Sequence, residues 1–288
     1  MYLPDFAYYA PDTKEEAVEL LVRSRGTARV IAGGTDLMVK MKQGLLSPEA
    51  LVSLKNLDGL KEIGTGSGGL FIGSRVTLNE LINSPVIQAT YPSIAGAAHQ
   101  MANNQIRHTG TMGGNLVSAV PSADLPPIFI ALNARVRVTG PAGEREFPLS
   151  DLFLGPGRTS LAPGEILTGV VVPEQKTTGS TYLKFGLRRS GALAVVGVAA
   201  AVTMEGPTVK DARIVLGAVA PVPFLAGEAA KTLYGREFTT ELAEEAGRVA
   251  ASECRPISDI RGSAEYRRDL VRVFTRRSLE KAVREGHV

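Results

Sequence analysis

Val30-Ile-Ala-Gly-Gly-Thr-Asp-Leu37 is the stretch from which the fold can be read. An apolar run leads into two glycines that turn the backbone, and side chains able to bond phosphate or cap a helix follow. Glycine lets a backbone approach a ligand closely, and successive amides there form a concave anion site. Upstream, Thr13-Lys-Glu-Glu16 is a capping box. Ala17, Leu20 and Leu21 then recur at helical spacing, and Gly26 is a C-terminal stop. Residues 29–32 predict a short buried strand, a helix starts at Asp36, and residues 50–54 predict another strand. Together they make a small α/β unit, taken as residues 1–56.

The same ingredients return in Gly110-Thr-Met-Gly-Gly-Asn-Leu116, again with a helix N-terminus expected behind the glycines. This second loop belongs to a unit taken as residues 57–175. Within it, residues 61–64 and 70–74 flank a turn at 65–69 and predict a β-hairpin. Thr77-Leu-Asn-Glu80 opens a helix with another capping box, residues 93–102 read as helical, and a polar, glycine-rich loop runs from there to Asn115. Residues 135–139 and 145–149 form a second hairpin around Gly140-Pro-Ala-Gly143, and residues 166–172 add a strand. A third unit, residues 176–288, begins in the polar linker 173–180. Residues 181–187 alternate, placing Tyr182, Lys184 and Gly186 on one face and Leu183, Phe185 and Leu187 on the other. Strands at 193–204 and 212–219 follow, joined by a turn at Glu205-Gly-Pro207, and then helices at 225–234, 239–253 and 263–285. Strands and helices interleave throughout, so the class is α/β or α+β.

Composition removes several function classes. The 288 residues are 44% hydrophobic and 21% charged, a balance that supports a packed soluble core rather than disorder. A net charge of +3, with 6% aromatics and no Trp, gives neither the basic footprint nor the stacking platform of a nucleic-acid binder. Cys254 is the single cysteine, so a disulfide framework or a cysteine-held zinc or iron–sulfur site is excluded. His99, His108 and His287 lack the pairing of a helical zinc motif. These features predict a reducing, cytoplasmic setting. Residues 1–6 do not read as a secretory signal. The longest apolar run, 191–204, falls short of the roughly 20 residues a membrane helix needs.

Other motifs also fall away. Gly64-Thr-Gly66-Ser-Gly-Gly69 satisfies the dinucleotide string, but a strand follows where a helix is required and no acid lies about 20 residues on, so it reads as a hairpin turn. No Walker loop and no nucleophile elbow occur. His108, beside the second loop, reads as structural. Arg268, Arg272 and Arg276 form a basic stripe whose usual meaning is a solvated helix face, with a subunit contact as the alternative.

Ala32-Gly-Gly-Thr-Asp-Leu37, Thr111-Met-Gly-Gly-Asn115 and the Ser-Ala-Val-Pro-Ser-Ala-Asp-Leu-Pro run at 118–126 resemble the FAD-binding medium subunit of molybdenum hydroxylases, the family of xanthine, carbon monoxide and aldehyde dehydrogenases. The likeness continues through Tyr182-Leu-Lys-Phe-Gly-Leu-Arg-Arg189 and the block Arg255-Pro-Ile-Ser-Asp-Ile-Arg-Gly-Ser-Ala-Glu-Tyr-Arg-Arg268.

The resemblance implies an α+β chain: a two-subdomain FAD-binding fold similar to vanillyl-alcohol oxidase, plus a C-terminal α+β domain. FAD would lie between the subdomains with its pyrophosphate on both glycine loops. By position, Val30, Ile31, Ala32, Gly33, Gly34, Thr35, Asp36 and Leu37 form the first cofactor loop. Thr111, Met112, Gly113, Gly114 and Asn115 form the second, with Met101, Asp124, Leu167 and Lys184 as further contacts. Lys184 could point a cation towards the flavin, and an ordinary surface lysine on an edge strand is the equal alternative. Asp124 could equally cap a helix over residues 125–134.

The implied partners are a large subunit carrying molybdopterin and a small subunit with two [2Fe-2S] clusters, arranged as a dimer of heterotrimers. Electrons would pass from the clusters to FAD and on to NAD, a quinone or another acceptor. No catalytic acid, base or nucleophile and no metal site is assigned to this chain. Carbon monoxide dehydrogenases typically carry His-Ser after the first glycine pair and Asp after the second. Thr35-Asp36 and Asn115 depart from that and lean towards xanthine- or aldehyde-type enzymes. The extra [4Fe-4S] cluster of relatives that reduce 4-hydroxybenzoyl-CoA is excluded by the lone cysteine. The alternatives are an assembly subunit of the same fold without flavin and a stand-alone FAD oxidoreductase.

Overall fold

A computed structural model describes residues 3–285, so the start at Met1 and His287 lie outside the described residues. The first sheet is parallel. It comprises β1 (Ala7–Tyr9), β2 (Ala28–Ile31) and β3 (Ala50–Ser53) in the order β1-β3-β2, with α1 (Lys14–Arg23) and α2 (Leu37–Lys42) in the connections. Ala17 and Val18 of α1 pack on Val52, Leu54 and Leu57. Thr13 caps α1 by accepting the Glu16 amide at 3.1 Å, but the Glu16 carboxylate accepts from the Asp12 amide instead of closing the box on Thr13. Strand β1 was not foreseen, because three exposed residues carry no burial alternation.

The second sheet is antiparallel, in the order β4-β5-β10-β6-β7. Strands β4 (Ile63–Gly66) and β5 (Gly69–Gly73) make the expected hairpin of the glycine string, with Gly66 paired to Gly69. Helices α3 (Leu78–Asn83), α4 (Pro85–Thr90), α5 (Pro92–His99), α6 (Asn104–Thr109), α7 (Met112–Val117) and α8 (Leu125–Ala131) follow. The Thr77–Glu80 capping box on α3 is complete.

The segment expected as a loop up to Asn115 is helical twice over, in α6 and α7. The side chains of Asn103 and Thr111 cap them, accepting the amides of Ile106 at 2.9 Å and Gly114 at 3.1 Å. Glycine's poor helix propensity hid α7, although its cap residue stood in the sequence. Strands β6 (Arg135–Gly140) and β7 (Gly143–Pro148) form the second hairpin. A 3₁₀ turn, the short pair β8 (Phe153–Gly155) and β9 (Arg158–Thr159), and β10 (Ile166–Val172) complete the unit.

The third sheet runs β11 (Gly179–Phe185), β12 (Val196–Glu205), β13 (Thr208–Gly217) and β14 (Phe224–Leu225), all antiparallel. Helices α9 (Gly227–Lys231), α10 (Thr240–Glu253) and α11 (Ala264–Glu285) follow it. Its alternation divides two cores. Val196, Val198, Ala200 and Val202 pack with residues of α10 and α11, whereas Ala199 and Ala201 join the core around α8. Every residue of α8 is buried, so this helix ties the second sheet to the third. The chain is therefore α+β with separate sheets, and no helix among the described residues is long and apolar enough to cross a membrane.

The pair α10 and α11 touches backbone to backbone. A Cβ on Gly247 would lie 2.5 Å from the Arg272 carbonyl oxygen. Gly247→Leu is expected to force the helices apart and cost about 1–3 kcal/mol of stability. Urea unfolding checks this, and a wild-type midpoint would contradict it.

Candidate functional site

At the end of β2 the chain turns through Gly33 and Gly34, the latter at φ +71°, and enters α2. The amides of Gly33, Gly34, Thr35 and Asp36 find no protein acceptor, and the Thr35 hydroxyl finds no protein partner, among the described residues. Consecutive unpaired amides on a turn are strong anion ligands, since each lacks the acceptor it needs. Asp36 stands at the N-cap of α2 without capping it. Its carboxylate accepts the Ser118 hydroxyl at 2.6 Å. An ionised carboxylate only accepts, so Asp36 suits a ligand hydroxyl and not a phosphate.

The second glycine loop faces the first but works differently. Four of its five amides are engaged: Met112 to the Val76 carbonyl, Gly113 to Ser74, and Gly114 and Asn115 to Thr111. The run of free amides expected at 112–115 is absent because two of these donors pair with the backbone after β5 and two with Thr111, the cap residue of α7. Gly113 instead permits close packing, since a Cβ would lie 2.7 Å from the Ser74 carbonyl oxygen. A Cβ on Gly114 would meet only the Thr111 hydroxyl, at 2.9 Å, so this glycine leaves a smooth wall. Asn115 accepts the Leu125 amide with its Oδ1, leaving its Nδ2 donor without a partner among the described residues.

These loops enclose a cleft of about 430 Å³ lined by all of residues 30–37, by Thr111, Gly114 and Asn115, and by Met101 and Asp124. Arg188 and Leu193 of the loop after β11 line it as well. A second cavity of about 360 Å³ continues from it past Val30, Ala32, Gly114 and Val117. Gly113, Leu167, Leu21 and Leu54 line this mostly apolar slot. Ser74 lies there too, and its buried hydroxyl has no hydrogen-bond partner. Leu167 thus faces the second cavity rather than the first. Met112, fully buried, lines neither and anchors the core.

Lys184 is also away from the cleft surface. Its ammonium donates to Asp124 Oδ2 at 2.8 Å and to the Gln100 carbonyl at 3.3 Å, with its side chain 6% exposed. The Tyr182 hydroxyl donates to Asp124 Oδ1 at 2.7 Å. Asp124 therefore does not cap α8, as one reading of the sequence had it, and Lys184 is no surface lysine. Burial pushes the Asp124 carboxyl above its ordinary pKa, with Lys184 and Tyr182 pulling it back down. Burial and the Asp124 charge push the Tyr182 phenol well up. Asp124 is the group through which this buried cluster reaches the cleft. Neither the free Asn115 donor nor the orphaned Ser74 hydroxyl was separable from the sequence, since only tertiary packing decides which polar atoms go unpaired. His108 contacts Asn79 on the outer surface and does not line the cleft.

Comparison with known proteins shows what the chain is similar to. Residues 4–175 match the FAD binding domain in molybdopterin dehydrogenase, and residues 181–282 match the CO dehydrogenase flavoprotein C-terminal domain. The glyceraldehyde dehydrogenase medium chain of Sulfolobus acidocaldarius is 30% identical, covering 98% of this chain and 99% of its own. A reconstituted CO dehydrogenase from Oligotropha carboxidovorans superposes with a TM-score of 0.95 at 35% identity, over 98% of this chain and 99% of that one. Quinoline 2-oxidoreductase from Pseudomonas putida 86 gives 0.95 at 31% identity over the whole of both chains.

Lys184→Met should leave the Asp124 carboxylate buried without its cation and cost about 3–5 kcal/mol at neutral pH. The folded carboxyl would then bind a proton more tightly than the unfolded one. The variant should consequently regain stability as pH falls and lose it as pH rises through the raised pKa. The double substitution with Asp124→Leu should recover much of the loss. Equal destabilisation of the single and double variants in urea would contradict the pairing.

Proposed function

The chain belongs to the family of FAD-binding subunits of molybdopterin dehydrogenases, and from that premise we propose that it is the electron-transfer subunit of a molybdenum hydroxylase. In this reading it takes electrons from a small [2Fe-2S] subunit and passes them to NAD, a quinone or another external acceptor. A large molybdopterin subunit handles the organic substrate, and the assembly is a dimer of heterotrimers. Thr35-Asp36 and Asn115 favour the aldehyde or xanthine branch.

One observation carries the proposal: the run of unpaired amides at 33–36 opens onto a cleft that continues into an apolar slot with an orphaned hydroxyl. That combination fits a ligand with a central anion and an aromatic group at each end. The amides and the Thr35 hydroxyl take the pyrophosphate, Gly114 lets it lie flat, and Asn115 Nδ2 adds a donor. Asp36 and Ser118 receive sugar hydroxyls. The adenine enters the slot beside Val30 and Leu167, within reach of Ser74. Met101 and Asp124 border the isoalloxazine end, while Lys184 and Tyr182 hold Asp124 in place from behind. The cofactor, when bound, couples one-electron donors to two-electron acceptors. The units 1–56 and 57–175 clasp it, and 176–288 supplies Arg188 and Leu193 to the cleft wall.

Gly114→Leu tests the site. The Thr111 hydroxyl that caps α7 must shift by a few tenths of an ångström, at a cost of about 1 kcal/mol or less, and beyond it the new side chain enters the cleft. The variant should fold while its FAD affinity falls at least about tenfold, or about 1.4 kcal/mol. Gly34 is a poorer probe, since any L-residue at φ +71° strains the backbone by itself. Full flavin occupancy in folded Gly114→Leu would contradict the assignment. The wild-type chain should also copurify with molybdenum and two-iron clusters; a flavoprotein isolated with neither would sink the electron-transfer role.

A further inference from the structure

Arg107, on α6, directs its guanidinium at backbone. Its Nη1 donates to the Met101 carbonyl at 2.7 Å and to the His99 carbonyl at 3.4 Å. The neighbouring carbonyls are held as well. Gln100 accepts from the Lys184 ammonium at 3.3 Å, and Ala102 accepts from the Gly191 amide at 3.0 Å and the Ser190 hydroxyl at 3.3 Å. Four consecutive carbonyls at the end of α5, 99 to 102, are thus taken by donors from α6, from β11 and from the residues after β11. The Gln100 side chain ties the turn back by donating to the Tyr182 carbonyl at 3.0 Å. Met101, Ala102 and Asn103 of this turn line the cleft.

Two features of this turn cost stability that folding does not require. Ala102 sits at φ +45°, where its Cβ crowds its own backbone and glycine would not. The buried Arg107 Nε has no hydrogen-bond partner, and no carboxylate lies in ion-pair range of the guanidinium among the described residues. A cation does suit the carbonyl end of a helix. An exposed lysine would supply it there without stranding a donor in the interior. Strained backbone and an orphaned donor, both held by several bonds, gather where geometry serves a ligand. Lys184 bonds both Gln100 and Asp124, so the turn and the Asp124 side chain belong to one wall of the cleft.

We infer that Arg107 is a positioning residue for the isoalloxazine: it fixes the turn at 101–103 as a wall against the ring and places behind that wall a positive charge that no carboxylate cancels. The inference rests on the cofactor reading, which puts Met101 and Asp124 at the isoalloxazine end. With carbonyls 99 to 102 engaged, their oxygens are held by donors and do not turn on the ring. Two-electron reduction adds negative charge to a flavin, so a cation fixed in a poorly solvated wall favours the reduced form. Lys184 does not supply that charge, because Asp124 neutralises it at 2.8 Å. Arg188 also lines the cleft, but it is exposed and screened by water.

The test is a reductive titration of the FAD-loaded chain, with the flavin spectrum followed against a reference dye. Arg107→Met should keep near-stoichiometric FAD while its equilibrium moves at least about tenfold towards the oxidised form, about 30 mV lower for a two-electron couple. Arg107→Lys, which keeps the charge, should recover most of that shift. A wild-type potential in folded, FAD-loaded Arg107→Met overturns the inference alone and leaves Arg107 as a cap of α5. An Arg107→Lys variant shifted as far as Arg107→Met overturns it too. If Arg107→Met does not fold, Arg107→Gln carries the test, since it keeps a donor for the Met101 carbonyl without the charge. It should show the same fall, and an unchanged potential there overturns the inference. A wild-type chain that takes up no FAD overturns the cofactor reading and this inference together.

Discussion

The missing side chain of Gly33 is the constraint on which the cleft depends. A Cβ there would sit 1.8 Å from the Thr109 carbonyl oxygen, inside any tolerable contact. No side-chain rotation relieves a clash with backbone, so the turn after β2 and the C-terminal end of α6 approach this closely only through glycine. That approach sets the first loop against the second and fixes the width of the cleft between them. Gly113 repeats the device one layer away, letting α7 pack onto the Ser74 backbone. The first contact brings a parallel three-stranded sheet against the helices of the antiparallel five-stranded one, and the second seats α7 within that antiparallel unit.

The two loops divide the work unequally. At 33–36 the amides are left without acceptors, a state that persists only because they are exposed to the cleft and to whatever anion fills it. At α7 the amides of 112–115 are taken by Val76, Ser74 and Thr111, and the contribution is shape and a single amide donor on Asn115. Charge enters from the third unit, where Lys184 reaches across to Asp124 and is neutralised there. A buried pair of this kind gives little net stability but penalises any arrangement that separates its members. It consequently holds the C-terminal sheet in register with α8 and, through Asp124, with the cleft.

Much of this was legible in the sequence. The glycine pairs, both hairpins, β10 to β13 and the helices after them follow from turn chemistry and alternation, signals that are local. The dinucleotide string was correctly read as a hairpin because a strand and not a helix follows it. What escaped was decided by tertiary partners. Strand β1 exists because β3 pairs with it, and α6 and α7 hold although polar and glycine-rich residues argue against them. The engagement of the second loop's amides depends on Ser74 and Val76, over thirty residues away. Lys184 looked free to face a ligand because its strand face was readable and its partner Asp124 was not.

The central claim is that the unpaired amides and the apolar slot together hold FAD. The most direct measurement is the visible spectrum of the purified chain, followed by denaturation and mass analysis of the released chromophore. Near-stoichiometric FAD is the expected result. FMN, which lacks both the second phosphate and the adenine, would contradict the assignment of the amides and the slot. A chain that stays colourless after incubation with excess FAD would contradict it entirely and favour a flavin-free assembly role.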